Sequence, residues 1–186
     1  IVGRGHTVTA TDATSGVEFF QWRNGKTGGS IKNITSPFTI PEDTAEGYYR
    51  FSATDYAGND TGYYYLYYDP VLPEGHIRLK DGTELENGAN VNEAFVFDAT
   101  DNIGVKEVKV KRPGSADYIT YTDTMSLTTD GEYSFYCVDT AGNRSETYTV
   151  VLDTTPPKLS CSGGGFSGMT DKTFTVSASD VGGAVL

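Results

Sequence analysis

Residues 53–59 read ATDYAGN and residues 137–143 read CVDTAGN. The phrase returns with a period of 84 residues, from position 53 to position 137, and both copies have the same flanks. An alternating aromatic stretch precedes each copy and another follows it. An Asp and a Pro-bearing linker then close the unit, DPVLP at 69–73 and DTTPP at 153–157. Self-similarity at a fixed period marks a tandem array, so the period sets the folding unit before any local assignment. In a chain of 186 residues it yields two units and part of a third. The boundaries read 1–70, a module lacking most of its first strand; 71–154, a complete module; and 155–186, the first two strands of a third. A chain out of register with its own repeats at both ends is expected to be a piece of a longer protein.

Working outward from the phrase, each strand has a counterpart. Strand B recurs as HTVTATD at 6–12, FVFDATD at 95–101 and FTVSASD at 174–180. His6, Val8 and Ala10 align with Phe95, Phe97 and Ala99, and with Phe174, Val176 and Ala178; every copy ends in Asp. Period two with one apolar face describes a half-buried antiparallel strand. Strand C follows at 17–23 and 105–111, strand E at 38–40 and 125–127, strand F at 47–53 and 131–137, and strand G at 62–68 and 146–152. Residues 76–91 supply strand A of the second module, with Asp81-Gly82 and Asn87-Gly88 as turns. Trp22 and Phe20 face the core of strand C, and Phe19 faces out.

About seven short strands per unit, with turn signals between them, fit an immunoglobulin-like β-sandwich. Strand F carries Gly-x-Tyr-x-Phe twice, which puts Tyr49 and Tyr133 where the hydroxyl of a tyrosine corner is needed. The expected fold is all-β, with tandem immunoglobulin-like sandwiches and incomplete end modules. The run Asp-x-x-Gly-Val entering strand C, the phrase Gly-x-Tyr-x-Phe-x-x-x-Asp-x-Ala-Gly-Asn and the closing Asp-Thr-Thr-Pro-Pro resemble the bacterial immunoglobulin-like repeats of large Gram-positive surface and secreted proteins. The resemblance covers nearly the whole chain. It implies an extracellular location, on a cell surface or secreted, and adjacent modules of the same protein as neighbours. It implies little about activity, because a fold does not carry a function.

Composition narrows the function classes. There are 25 acidic and 14 basic residues, a net charge of −11, which opposes the basic footprint that nucleic-acid binding needs. No apolar run is long enough to insert in a membrane as a helix. The two histidines, His6 and His76, fall in different modules, so no Ser/His/Asp or Cys/His set assembles and no enzyme is expected. Cys/His metal spacing is absent. Cys137 and Cys161 both take inward registers of different modules and are expected to be buried, reduced thiols.

Two constellations remain. The first is acidic. In a sandwich the B–C and F–G loops share one end, where the incoming linker also arrives. Asp69, Asp101 and Asp139 are therefore expected to converge at the first module joint, and Asp153 and Asp180 at the second, with Asp12 and Asp55 as an equivalent half-site before the first module. Ca²⁺ takes oxygen ligands from carboxylates, carbonyls and water, so such a joint can hold calcium. Related repeats in some long adhesins use linker calcium, and the resemblance adds to that reading. Equally, an Asp before a turn caps its own backbone amides, with Gly58 and Gly142 supplying the positive φ. The second constellation is the outward row Tyr63, Tyr65 and Tyr67 on strand G of the first module; the second module has Thr147, Thr149 and Val151 there. Solvent-facing tyrosines stack on sugars or anchor a protein partner. They also stabilise a sheet by cross-strand pairing, with Arg50 as a neighbour. The sequence thus leads to a non-catalytic stalk, spacer or adhesin segment. The alternatives are a module binding host glycan or protein, or an ancillary region of a secreted carbohydrate-active enzyme.

Overall fold

The structure is a computed structural model; residues 1–25, 30–162 and 175–180 are described, the side chains of 161 and 162 excepted. Phe174 and the side chain of Cys161, both expected to face inward, lie outside the described residues. The strands, in chain order, are β1 (Thr7–Val8), β2 (Val17–Asn24), β3 (Lys32–Ile34), β4 (Phe38–Thr39), β5 (Gly47–Asp55), β6 (Tyr64–Tyr68), β7 (Glu74–Leu79), β8 (Glu84–Leu85), β9 (Ala89–Val91), β10 (Phe95–Thr100), β11 (Val105–Lys111), β12 (Ile119–Thr120), β13 (Gly131–Asp139), β14 (Tyr148–Leu152), β15 (Lys158–Ser162) and β16 (Thr175–Ser179). No helix occurs among the described residues, so none is long and apolar enough to cross a membrane. The fold is all-β, with tandem immunoglobulin-like sandwiches.

In the first repeat, one sheet has the order β3-β2-β5-β6 and faces the pair β1-β4. Alternation along β5 sends Tyr49, Phe51 and Ala53 inward, against Phe20, Trp22, Ile40, Leu66 and Tyr68. Trp22 stacks on Tyr49 (centroids 5.2 Å apart) and meets Phe38 of β4 at 5.1 Å, closing the gap between the sheets. Phe19 points out, 43% exposed, as its register requires. In the second repeat the sheets have the orders β10-β7-β8 and β12-β11-β13-β14-β9. Phe97 of β10 stacks on Phe135 of β13, centroids 4.6 Å apart and planes 5° from parallel, and Phe95 meets Tyr133 edge-on at 5.5 Å. Such aromatic pairs stabilise by about 0.5–1.5 kcal/mol beyond the area they bury.

Both tyrosine corners form. Tyr49 donates its hydroxyl to the Ala45 carbonyl at 2.8 Å. Tyr133 donates to the Thr129 carbonyl at 3.0 Å and accepts from the Thr129 N–H at 3.0 Å. Positive φ falls on glycine where the turns demand it, at Gly82 (91°) and Gly88 (87°) after Asp81 and Asn87. The third copy contributes the antiparallel pair β15-β16.

Two strand expectations need correction. The run 6–12 forms strand only at Thr7–Val8, because the Ala10 N–H donates to Ser36 Oγ at 2.8 Å and leaves the ladder. β10 pairs with β7, whereas β1 pairs with β4 alone. Residues 125–127 are not a strand: the Met125 N–H closes a turn onto the Thr122 carbonyl at 2.8 Å, although Leu127 still points inward, 4% exposed. Tyr64, in the inward register, is 59% exposed. It borders a groove of about 520 Å³ lined also by residues 9–11, Phe20, Phe51 and Ala53, which leaves its ring largely open.

By compactness the chain comprises two units. One is Ile1–Gly75 with Ala99–Val108 and Tyr136–Glu146; the other is His76–Asp98 with Lys109–Phe135 and Thr147–Leu186. The turns after β10 and β13 therefore belong with Ile1–Gly75.

Candidate functional site

The repeated Asp-x-Ala-Gly-Asn phrase folds as a turn clamped by its own carboxylate. Asp55 Oδ1 accepts the N–H groups of Ala57 (2.9 Å) and Asn59 (2.8 Å), and Oδ2 accepts from Asn59 Nδ2 at 2.8 Å. These bonds, the Asn59 side chain foremost, hold the Asp55 carboxyl below the usual carboxylate range. In the second copy Asp139 Oδ1 accepts the Asn143 N–H at 2.8 Å and Oδ2 accepts Asn143 Nδ2 at 2.7 Å. Gly58 and Gly142 carry φ of 87° and 94° between the clamp residues. The Asp ending strand B acts alike in both repeats. Asp12 Oδ1 accepts from Thr14, Ser15 and Gly16, and Asp101 Oδ1 accepts from Ile103 (2.9 Å) and Gly104 (2.8 Å). Asp12 and Asp55 thus both cap the turns that follow them.

The second repeat differs because Asp69 joins it. Asp69 follows β6 and is fully buried; its N–H donates to the Val2 carbonyl at 3.0 Å and its Oδ1 accepts the Val71 N–H at 3.0 Å. Ligand atoms of Asp69, Asp101 and Asp139 lie within 4.8 Å of one another, all inside the first compact unit. Asp139 is also fully buried and Asp101 half-buried. Burial, with lesser contributions from the charges of Asp101 and Asp139, pushes the Asp69 carboxyl above its ordinary range. Asp69 Oδ2 and Asp101 Oδ2 are buried without a hydrogen-bond partner among the described residues.

Asn143 holds the cluster together, and sequence reasoning missed it. It is 4% exposed. Its two Nδ2 hydrogens are shared among the carbonyls of Asp69 (2.9 Å) and Val71 (3.0 Å) and Asp139 Oδ2 (2.7 Å), while its Oδ1 accepts the Arg4 N–H at 2.7 Å. A Cβ on Gly3 would lie 2.4 Å from Asn143 Oδ1, so a residue without a side chain is needed there. The sequence signal was present in the invariant Asn of the phrase, but Asn59 is exposed and serves its own turn only.

Asp153 and Asp180 belong to no group of three acids among the described residues. Asp153 Oδ1 accepts the Thr155 N–H at 3.0 Å. Asp130, which sequence reasoning did not single out, fastens the following segment by accepting from Thr154 N–H (3.1 Å), Thr154 Oγ1 (2.8 Å) and Thr155 Oγ1 (3.0 Å). Cys137 is a free, fully buried thiol, and burial pushes its pKa up, away from reactivity.

The tyrosine row forms on the outer face of β5 and β6. Tyr63 and Tyr65 are 49% and 51% exposed, and their rings meet edge-on at 6.2 Å. Arg50 lies opposite Tyr65 in register, and its guanidinium sits 4.7 Å over the Tyr63 ring. Tyr67 crosses Tyr48 at 4.8 Å and donates its hydroxyl to Glu46 Oε1 at 2.6 Å, a bond that pushes its pKa up to about 12. A shallow groove of about 610 Å³ is lined by Ile1, Tyr48, Tyr65, Leu66 and Tyr67. The row is thus pinned by cross-strand contacts and still presents aromatic surface.

No family model matches the chain, and no curated protein matches it. Among solved structures it is similar to SGBP-B of the mixed-linkage glucan utilization locus of Bacteroides ovatus, in complex with a mixed-linkage heptasaccharide, at 16% identity and a TM-score of 0.25. The match covers 86% of this chain and 45% of SGBP-B, so the chain spans less than half the length of that protein.

Proposed function

We propose that this chain is a non-catalytic, extracellular run of immunoglobulin-like repeats that acts as a spacer or stalk, or as a segment of an adhesin. One observation carries the reading. Successive repeats reuse the same fastening devices, a tyrosine corner and a carboxylate-clamped turn, and in both the chemistry-bearing side chains serve packing and capping. His6 borders a groove and His76 pairs with Glu84 at 2.7 Å, in different compact units, so the two histidines do not share a site.

A second reading is favoured by the exposed row of Tyr48, Tyr63 and Tyr65 beside Arg50, which suits stacking on a sugar or on a protein partner. One experiment separates the two. The chain is applied to a glycan array and to a panel of extracellular matrix proteins, beside the variant Tyr63→Ala/Tyr65→Ala/Tyr67→Ala. The spacer reading expects no saturable binding by either. Saturable binding that the triple variant loses would replace it with the binding-module reading.

A further inference from the structure

We infer that Asp69, Asp101 and Asp139 form a binding site for one calcium ion. The inference goes beyond the spacer reading and does not depend on it.

Capping accounts for part of what these three residues do, and the first repeat measures how much. Asp12 and Asp55 do the same capping where no third acid joins them among the described residues, and each uses the oxygen that its counterpart uses: Oδ1 for Asp12 and Asp101, both oxygens for Asp55 and Asp139. What capping leaves over is Asp69 Oδ2 and Asp101 Oδ2, both buried and both without a donor among the described residues. A carboxylate oxygen removed from water needs a donor or a cation, because desolvation penalises its charge. Asp69 is fully buried, carries one such oxygen and contributes a carboxylate oxygen to the cluster. Neither His76–Glu84 nor Arg78–Asp98, the ion pairs seen elsewhere in the fold, involves any of the three acids. Two buried carboxylates and a half-buried one, gathered within 4.8 Å, form an acidic site that a cation would neutralise.

Geometry selects the kind of ion. The ligand set is all oxygen, which suits a hard cation. Oxygens bound to one Ca²⁺ at ~2.3–2.6 Å lie within about 5 Å of each other, and the three ligand atoms here lie within 4.8 Å. Asp139 remains able to bind although Asn143 engages both its oxygens, since each carboxylate oxygen has a second lone pair. The cradle is braced from behind by Asn143, so the carboxylates are held in place before any ion arrives.

The test uses the full chain, stripped of metal with a chelating resin, and calcium chloride as the probe. Equilibrium dialysis with radioactive calcium is expected to show saturable uptake of one ion per chain. Asp69→Asn and Asp101→Asn each keep the capping oxygen and place an amide where the unpartnered oxygen was. Each is expected to weaken uptake roughly tenfold or more, since affinity follows ligand charge. Calcium is expected to raise the melting temperature of the native chain and leave both variants unmoved. In chelator, Asp69→Asn should melt no lower than the native chain, which shows that it folds. Magnesium is expected to compete weakly, because Ca²⁺ tolerates irregular oxygen sites that Mg²⁺ does not. No saturable uptake, or uptake unchanged in both variants, would overturn the inference.

Discussion

Replacing Asn143 by Ala tests whether the cluster around it is a distinct structural centre or a second copy of an ordinary turn. The side chain makes four hydrogen bonds, to Arg4 N, Asp69 O, Val71 O and Asp139 Oδ2. Two Nδ2 hydrogens serve three acceptors, so the two carbonyl contacts count together as about one bond. A neutral bond contributes about 1 kcal/mol and one to a carboxylate about 1.5–3 kcal/mol, so Asn143→Ala is expected to cost about 3–5 kcal/mol. Burial puts the cost at the upper end, because the orphaned Asp69 carbonyl is shielded from water. Asn59→Ala is the internal control. Its side chain makes one such bond, to Asp55 Oδ2, at an exposed turn, and about 1 kcal/mol or less is expected. The backbone N–H bond to the clamping Asp survives in both variants. The assay is urea unfolding in chelator, followed by fluorescence of Trp22, the sole tryptophan, which lies in the same compact unit as Asn143. Equal midpoint shifts for the two variants, within about 0.5 kcal/mol, would refute the reasoning.

Gly3→Ala pushes a Cβ to 2.4 Å from Asn143 Oδ1 and is expected to destabilise by about 1–3 kcal/mol in the same assay. Tyr133→Phe removes a buried hydroxyl bonded to both the N–H and the carbonyl of Thr129, whereas Tyr49→Phe removes one bond, to Ala45. Thermal melts are expected to show the larger loss, about 1–2 kcal/mol, for Tyr133→Phe. The Asp55 carboxyl sits below its ordinary range in the fold, so its stabilisation is present above the unfolded carboxylate pKa and is lost as pH falls through the folded value. Asp55→Asn should therefore melt below the native chain at neutral pH, with the gap closing under acid; a gap constant with pH would contradict the clamp.

The strands with the cleanest alternation were legible from the chain alone. β5, β11 and β13 fall on the expected segments because one apolar face fixes both period and register. Strand B of the first repeat was read too long, since alternation cannot show that Ser36 draws the Ala10 N–H out of the ladder. Tyr64 stands in the inward register of β6 and is nonetheless exposed, because periodicity gives direction and not what lies opposite. Topology brings Asp69, Asp101 and Asp139 to one end of the module, and their ligand atoms lie within 4.8 Å of one another; their burial and unpartnered oxygens are beyond the reach of the sequence.

By itself the sequence determined the repeating unit, its all-β character, its inward aromatic faces and the two fastening motifs. Each of these depends on local period or on a turn of a few residues. Only the tertiary structure decided that identical phrases have unlike roles. Asn59 and Asn143 follow the same four residues of pattern, yet one faces water and the other gathers segments from positions 4, 69, 71 and 139. The reason is physical: a local motif fixes its own hydrogen bonds, while burial and charge crowding depend on which distant segments are folded against it.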